Sequence, residues 1–263
     1  MNSNIVKGKR EYDDKNFKKA VEYFDRVSSD DGDYLGAALY KINALMELKE
    51  YSGCLKFINS LIEESPYDEL LWYEKVRCHI FLKQKIQAFD ALKEFERLID
   101  GDDKYFTLSI ARFYGLLGDS YSALTFCNKA IALDGNYEEA FYEKAQIATR
   151  LQDHDLMVEC GEKLIEFADG NVVKLMLPFL LNLYADNYQR SYEIVAMMGE
   201  LDEEHCELLK YSIYQNMLDD WGVEIRTDAP VEWHVDEALR LLFQFGNYGV
   251  DKGVYGGVSY MIL

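Results

Sequence analysis

The chain is poor in the residues that punctuate or staple a fold. Only 3 of its 263 residues are proline, and no Ser-rich or Gly-rich spacer occurs before residue 222. Nothing there reads as a linker, so the length suits one elongated body as well as two average domains. Five cysteines, Cys54, Cys78, Cys127, Cys160 and Cys206, lie far apart with no Cys-x-x-Cys pair. That pattern excludes a zinc ribbon or a disulfide framework and leaves plain packing in a reduced compartment. Four histidines, His79, His154, His205 and His234, share no metal-ligand spacing. Neither a Gly-x-Ser-x-Gly elbow nor a phosphate-binding glycine loop is present, so a noncatalytic protein without a cofactor or metal is expected. No apolar run reaches the roughly 18 residues of a membrane span, and the opening MNSNIVKGKREYDD has none that suits a secretory signal. Basic residues are also scarce, 28 against 47 acidic, for a formal net charge of −19. An acidic chain of this kind disfavours nonspecific nucleic-acid or anionic-membrane binding, and a soluble cytoplasmic protein is the expectation.

What the sequence does contain is a period. Ala20, Cys54, Ala88, Ala123, Met157 and Ser191 follow one another at 34, 34, 35, 34 and 34 residues. All but Met157 are small. Seven residues further on stand Val27, Leu61, Phe95, Ala130, Leu164 and Met198, all apolar. A lone amphipathic helix has no such long-range register, whereas stacked helix-turn-helix units each bury a face they could not bury alone.

The clearest unit is GDSYSALTFCNKAIALDGN, residues 118–136, where Gly118, Ala123 and Ala130 occupy points of close helix approach. With Gly8, Ala20 and Phe24 in the first unit, Trp72 and Ala88 in the third, Asn187, Tyr188 and Ser191 in the sixth, and Pro66 closing the second, the chain resembles the tetratricopeptide repeat (TPR) family. The resemblance covers about residues 2–202. It departs from the family pattern at Lys41 and Ile42, and most closing prolines are missing. It implies an all-α fold, a right-handed α-solenoid of about six TPR-like hairpins (about 1–34, 35–68, 69–103, 104–137, 138–171 and 172–202) with C-terminal capping helices and a glycine-rich tail over 203–263.

Along the chain, the first unit reads as helices over 4–12 and 17–27 joined by a turn of Asp13, Asp14 and Asn16. Pro178, inside LMLPFLLNLY, predicts a kink, because proline removes a hydrogen bond and clashes with the preceding turn. Past residue 199 the period fails, although 203–221 and 230–245 still read as helices suited to covering the last apolar face.

In the family geometry the first helix of each unit lines the inside of the curve. The ninth position of these helices reads Lys9, Asn43, Arg77, Arg112, Gln146, Leu180: five hydrogen-bond donors, three of them cationic. One turn earlier on the same face come Ile5, Leu39, Tyr73, Leu108, Tyr142 and Met176. A peptide-binding groove of Lys9, Tyr12, Asn43, Tyr73, Arg77, Arg112, Tyr142, Gln146 and Arg150 follows, suited to an extended protein or peptide partner with acidic groups and occasional large side chains. On this reading, Arg77 and Arg112 serve the partner, and their reversal to Glu spares the fold while abolishing capture. Pairing of the arginines with Glu74 and Glu143 is the structural alternative. The carboxylate clamp of one TPR subset is missing, since its places hold Ile5, Lys9, Tyr40, Leu70 and Glu74. A second functional reading makes the chain a self-assembling or autoregulated protein, with the tail over 246–263 packed on its own or a neighbouring solenoid as a homo-oligomer.

Overall fold

A computed structural model describes residues 2–198 apart from 100 and 102. The expected capping helices, the tail and Cys206 lie outside the described residues. Those described form twelve helices and no strand: α1 (Ser3–Asp13), α2 (Phe17–Phe24), α3 (Tyr34–Glu47), α4 (Tyr51–Glu64), α5 (Glu69–Phe81), α6 (Lys85–Leu98), α7 (Lys104–Leu116), α8 (Ser120–Leu133), α9 (Glu138–Leu151), α10 (His154–Ala168), α11 (Val172–Tyr184) and α12 (Tyr188–Met197). Consecutive helices pack as hairpins, α1 on α2 through α11 on α12. The all-α hairpin array expected from the period is therefore what the described residues form.

Local chemistry starts these helices. Asn2, Asp68, Asp103, Asp119, Asp153 and Asn171 precede helices and accept hydrogen bonds from first-turn amides, each such cap contributing about 1 kcal/mol. Side chains bridge some of the hairpin turns, as His79 Nδ1 meets Gln84 Oε1 and Asn187 Nδ2 donates to Asn182 Oδ1, each at 2.8 Å, and every turn shares one pair of backbone bonds. In the first, the Lys15 amide donates to the Tyr12 carbonyl and the Asn16 amide to that of Glu11, the two bonds of a Schellman motif. The same pair recurs in all six turns, and each places one residue in the left-handed region: Lys15, Lys49, Lys83, Gly118, Gln152 and Asp186, with φ between 53° and 82°. Only one is the glycine that this conformation favours. The first unit also departs from expectation at its second helix, which ends at Phe24, not at Val27. Its last turn tightens to i→i+3 bonds from Arg26 to Tyr23 and from Val27 to Phe24.

Packing follows the sequence register. Ala20, Cys54, Ala88, Ala123 and Ser191 have no exposed surface and Met157 almost none, and the second series, Val27 to Met198, is buried throughout. Hairpin 1 shows why a small residue is required. A Cβ on Gly8 would stand 2.6 Å from the Phe24 ring, so the glycine seats the phenylalanine. Burying a Leu- or Phe-sized side chain in this way contributes about 2 kcal/mol. Cys54, Cys78, Cys127 and Cys160 are buried thiols in no disulfide, as packing residues are. Burial pushes the Cys160 thiol up to about 12. Helix α11 runs unbroken through Pro178, whose carbonyl accepts from Asn182 Nδ2 at 3.0 Å. No helix among the described residues is long and apolar enough to cross a membrane.

The chain divides into two compact units, Met1–Gly135 and Asn136–Leu263. They differ in charge: residues 1–135 carry 19 basic and 23 acidic side chains, residues 136–263 carry 9 and 24.

Candidate functional site

In the N-terminal unit the ninth-position residues stand on one face of α1, α3, α5 and α7. Lys9 Nζ lies 4.8 Å from the centre of the Tyr40 ring, a cation–π contact. Tyr12 meets Tyr40 and Phe17 edge-on at 5.6 and 5.4 Å, and Tyr40 stacks on Phe24. Burial, and then the Glu47 carboxylate, push the Tyr12 phenol up, so it remains a neutral donor at any physiological pH.

At the centre of this face sits Arg77. Its Nη1 donates to both Glu74 oxygens at 2.9 Å and to Asn43 Oδ1 at 3.5 Å, while the guanidinium lies 5.8 Å from the Tyr73 ring. Glu74 is buried, and burial pushes its carboxyl up although Arg77 pulls the other way. The ring of Tyr73 contacts Phe113 at 5.1 Å and Phe95 at 5.6 Å, and burial also raises its phenol. Arg112, one hairpin on, is exposed and its charge reaches Tyr73.

The structure thus brings Asn43, Tyr73 and Arg77 together and lays Lys9 and Tyr12 on Tyr40. Two expectations change. Arg77 is not a free donor, because a buried carboxylate 2.9 Å away holds it; the structural alternative applies to this residue. Its reversal to Glu would set two carboxylates against each other in a half-buried place, so the fold would not be spared. Ile5 and Leu108, assigned to the apolar row of the groove, are core residues at 1% and 0% exposure. The helical face is narrower than the register implies, and their side chains turn inward.

In the C-terminal unit Gln146 and Arg150 are exposed on α9, with Arg150 Nη2 3.4 Å from Gln146 Oε1 and 3.9 Å from Glu143. Tyr142, partly buried, sits beside the ion pair of Lys174 and Glu138, 2.8 Å apart, and burial raises its phenol. Sequence reasoning missed Tyr40 and Glu47 as members of the N-terminal face. The signal was there for Tyr40, which lies three residues before Asn43 and so on the same side of α3.

No protein-family model matches the chain, and no curated protein does. Solved structures do. The C-terminal part of a TPR repeat-containing protein from Cytophaga hutchinsonii matches with a TM-score of 0.61 at 13% identity, over 93% of this chain and 96% of that one. The chain has the TPR fold. A tetratricopeptide repeat protein from Parabacteroides merdae gives a TM-score of 0.59 at 9% identity, covering 90% of this chain and 97% of its own. YrrB, a TPR protein with an unusual peptide-binding site, gives 0.50 at 15%, covering 73% of this chain and 94% of its own. In TPR terms the face described above belongs to the first helix of each hairpin, and the hairpin core beneath it carries the small-residue register.

Proposed function

We propose that the chain is a noncatalytic scaffold or adaptor that binds a peptide or protein segment on the first-helix face of its hairpins. The observation that carries this reading is the row Lys9, Asn43, Arg77, Arg112, one polar residue per hairpin, interleaved with Tyr12, Tyr40 and Tyr73. Fixed donors beside rigid aromatic rings suit an extended segment, whose carbonyls and acidic side chains accept while larger side chains rest on the rings. Glu74 holds Arg77 in one geometry, so little side-chain entropy is lost when a ligand arrives. Tyr142, Gln146 and Arg150 form the equivalent face of the second unit. YrrB, of the same fold, has a peptide-binding site, which supports the class of ligand without locating it here.

The test uses half-buried Lys9 and exposed Arg112. Lys9→Glu with Arg112→Glu leaves the Arg77–Glu74 pair intact, and circular dichroism checks that the variant keeps its helices. Fluorescence anisotropy against an array of acidic, aromatic-bearing peptides then reads affinity, and at least a tenfold loss is expected for every peptide that binds the wild type. Equal binding by the variant, or no binding by the wild type, sinks the reading.

A further inference from the structure

Three sulfur atoms meet where hairpin 2 packs on the first helix of hairpin 3. Met46 comes from α3, Cys54 from α4 and Cys78 from α5, and all three belong to one core cluster with Ile42, Ile58 and Leu71. Cys78 Sγ lies 3.5 Å from Met46 Sδ. The Cys54 and Cys78 thiols share a hydrogen bond, and that bond, then burial, pushes the Cys54 thiol up. Cys54 Sγ also lies 3.7 Å from the Ile42 carbonyl oxygen, one turn before Met46 on α3. Neither cysteine has exposed surface, and Met46 has little.

The repeat does not call for these thiols. At the place of Cys54 it puts Ala20, Ala88 and Ala123 in hairpins 1, 3 and 4, and at the place of Cys78 it puts Ala44, Phe113, Ile147 and Leu181 in hairpins 2, 4, 5 and 6. A small residue and an apolar one would therefore serve the packing. Two thiols and a thioether in contact add a set of soft donors that packing does not need.

The donors decide the ion. Thiolates and thioethers select copper(I) over harder ions. Structural zinc asks for four ligands, and among the described residues no group of three or more His, Cys, Asp or Glu stands ready for a metal. His79, next to Cys78 in sequence, is engaged by Gln84, with Nδ1 2.8 Å from Oε1. At metal–sulfur distances of about 2.3 Å the ligands of a three-coordinate ion stand roughly 4 Å apart, so the 3.5 Å contact needs to open by only about half an ångström.

We infer that Met46, Cys54 and Cys78 form a binding site for one copper(I) ion between hairpins 2 and 3. Two Cu–S bonds form as the two thiols release their protons to solvent, the Met46 thioether adds a lone pair, and copper stays monovalent. The filled site carries one negative charge. The charged groups acting on Cys54 are both on α5: Glu74 opposes its ionised form and Arg77 favours it. The ion pins three helices of two hairpins at one point, so the stability of the N-terminal unit responds to copper. The site lies in the core and does not depend on what the first-helix face binds.

An anaerobic copper(I) titration of the full chain, with its thiols reduced and bicinchoninate as the competing chelator, tests this. The wild type takes one ion per chain from the chelator, and its Tm rises with the first equivalent. Cys54→Ala lowers the association constant by at least about a hundredfold, more than changes outside the ligand set cost, and cancels the rise in Tm. Alanine already fills that place in three hairpins without exposed surface, so the fold is kept, and circular dichroism checks it. Met46→Leu preserves side-chain volume but removes the thioether, and lowers the constant by about tenfold. A wild type that leaves all copper with the chelator overturns the proposal. Binding that either variant leaves unchanged overturns it too, because the ion would then sit on other groups.

Discussion

The two units share a 34-residue register and differ in what their cations touch. In residues 2–135 many cations rest on rings, some while also pairing a carboxylate: Lys9 on Tyr40, Arg77 on Tyr73 beside Glu74, and Lys41 on Phe57 at 3.7 Å beside Asp25. In residues 136–198 rings are used less, by Lys163 over Phe141 and Phe167, and several cations bridge carboxylates of neighbouring helices. Arg190 of α12 clamps Glu162 of α10 through Nε and Nη2 at 2.7 Å each, and Lys144 of α9 reaches Glu159 of α10 at 2.7 Å. One repeat backbone therefore carries two kinds of polar surface. The difference teaches that the register dictates what lies between the helices and leaves the outward positions free.

Ion-pair burial gives the largest expected contrast. Arg77→Ala strands Glu74, 9% exposed, and should cost about 3 kcal/mol. Arg190→Ala frees Glu162 and Glu193, each 44% exposed, and should cost under about 1 kcal/mol. Urea denaturation of both variants checks this, and equal losses would erase the distinction between the units. The sign of the pH effect is also fixed. Burial holds the Glu74 carboxyl above the ordinary glutamate range, so the cost of its buried charge grows as pH rises past the ordinary value and is full above the raised one. The loss in Arg77→Ala should thus be full at neutral pH and shrink as acidification protonates Glu74.

Next in size is Gly8→Ala, which drives a methyl into the Phe24 ring. The ring is buried and stacked on Tyr40, so a loss of about 2 kcal/mol is expected, read as a lower Tm. Smaller still are the turns. Gly118→Ala should cost about 1 kcal/mol, and Lys83→Gly should stabilise by about 0.5 kcal/mol, since both positions lie in the left-handed region. If neither changes the urea midpoint, the turns are not the matched set that their hydrogen bonds describe. Least is the response to salt. With 24 acidic against 9 basic residues in 136–263, amide-exchange protection of α9–α12 should rise with ionic strength more than that of α1–α8.

Much of this fold was legible in the chain because the register is carried by buried positions, where size is constrained. Ala20, Ala88 and Ala123 could be aligned by eye, and each is sealed. The face was only partly legible. Spacing puts Asn43 and Arg77 on one side of their helices, but no spacing rule says that Glu74 is buried and holds Arg77 between them. Ile5 and Leu108 share the same turn of helix as the groove residues, and only packing against the second helix decides that they point inward. The lysines of the turns escaped notice because propensity places glycine there. Two backbone hydrogen bonds per turn outweigh the roughly 1 kcal/mol that a lysine loses.

Those turns have one more consequence. Because each shares the same two amide-to-carbonyl bonds, that closure makes no demand on which side chain stands at its apex. Lysine, glycine, glutamine and aspartate already occupy that apex in different hairpins. A protein assembled this way can rewrite the charge of its rim one hairpin at a time, changing what it adheres to while its interior goes unaltered.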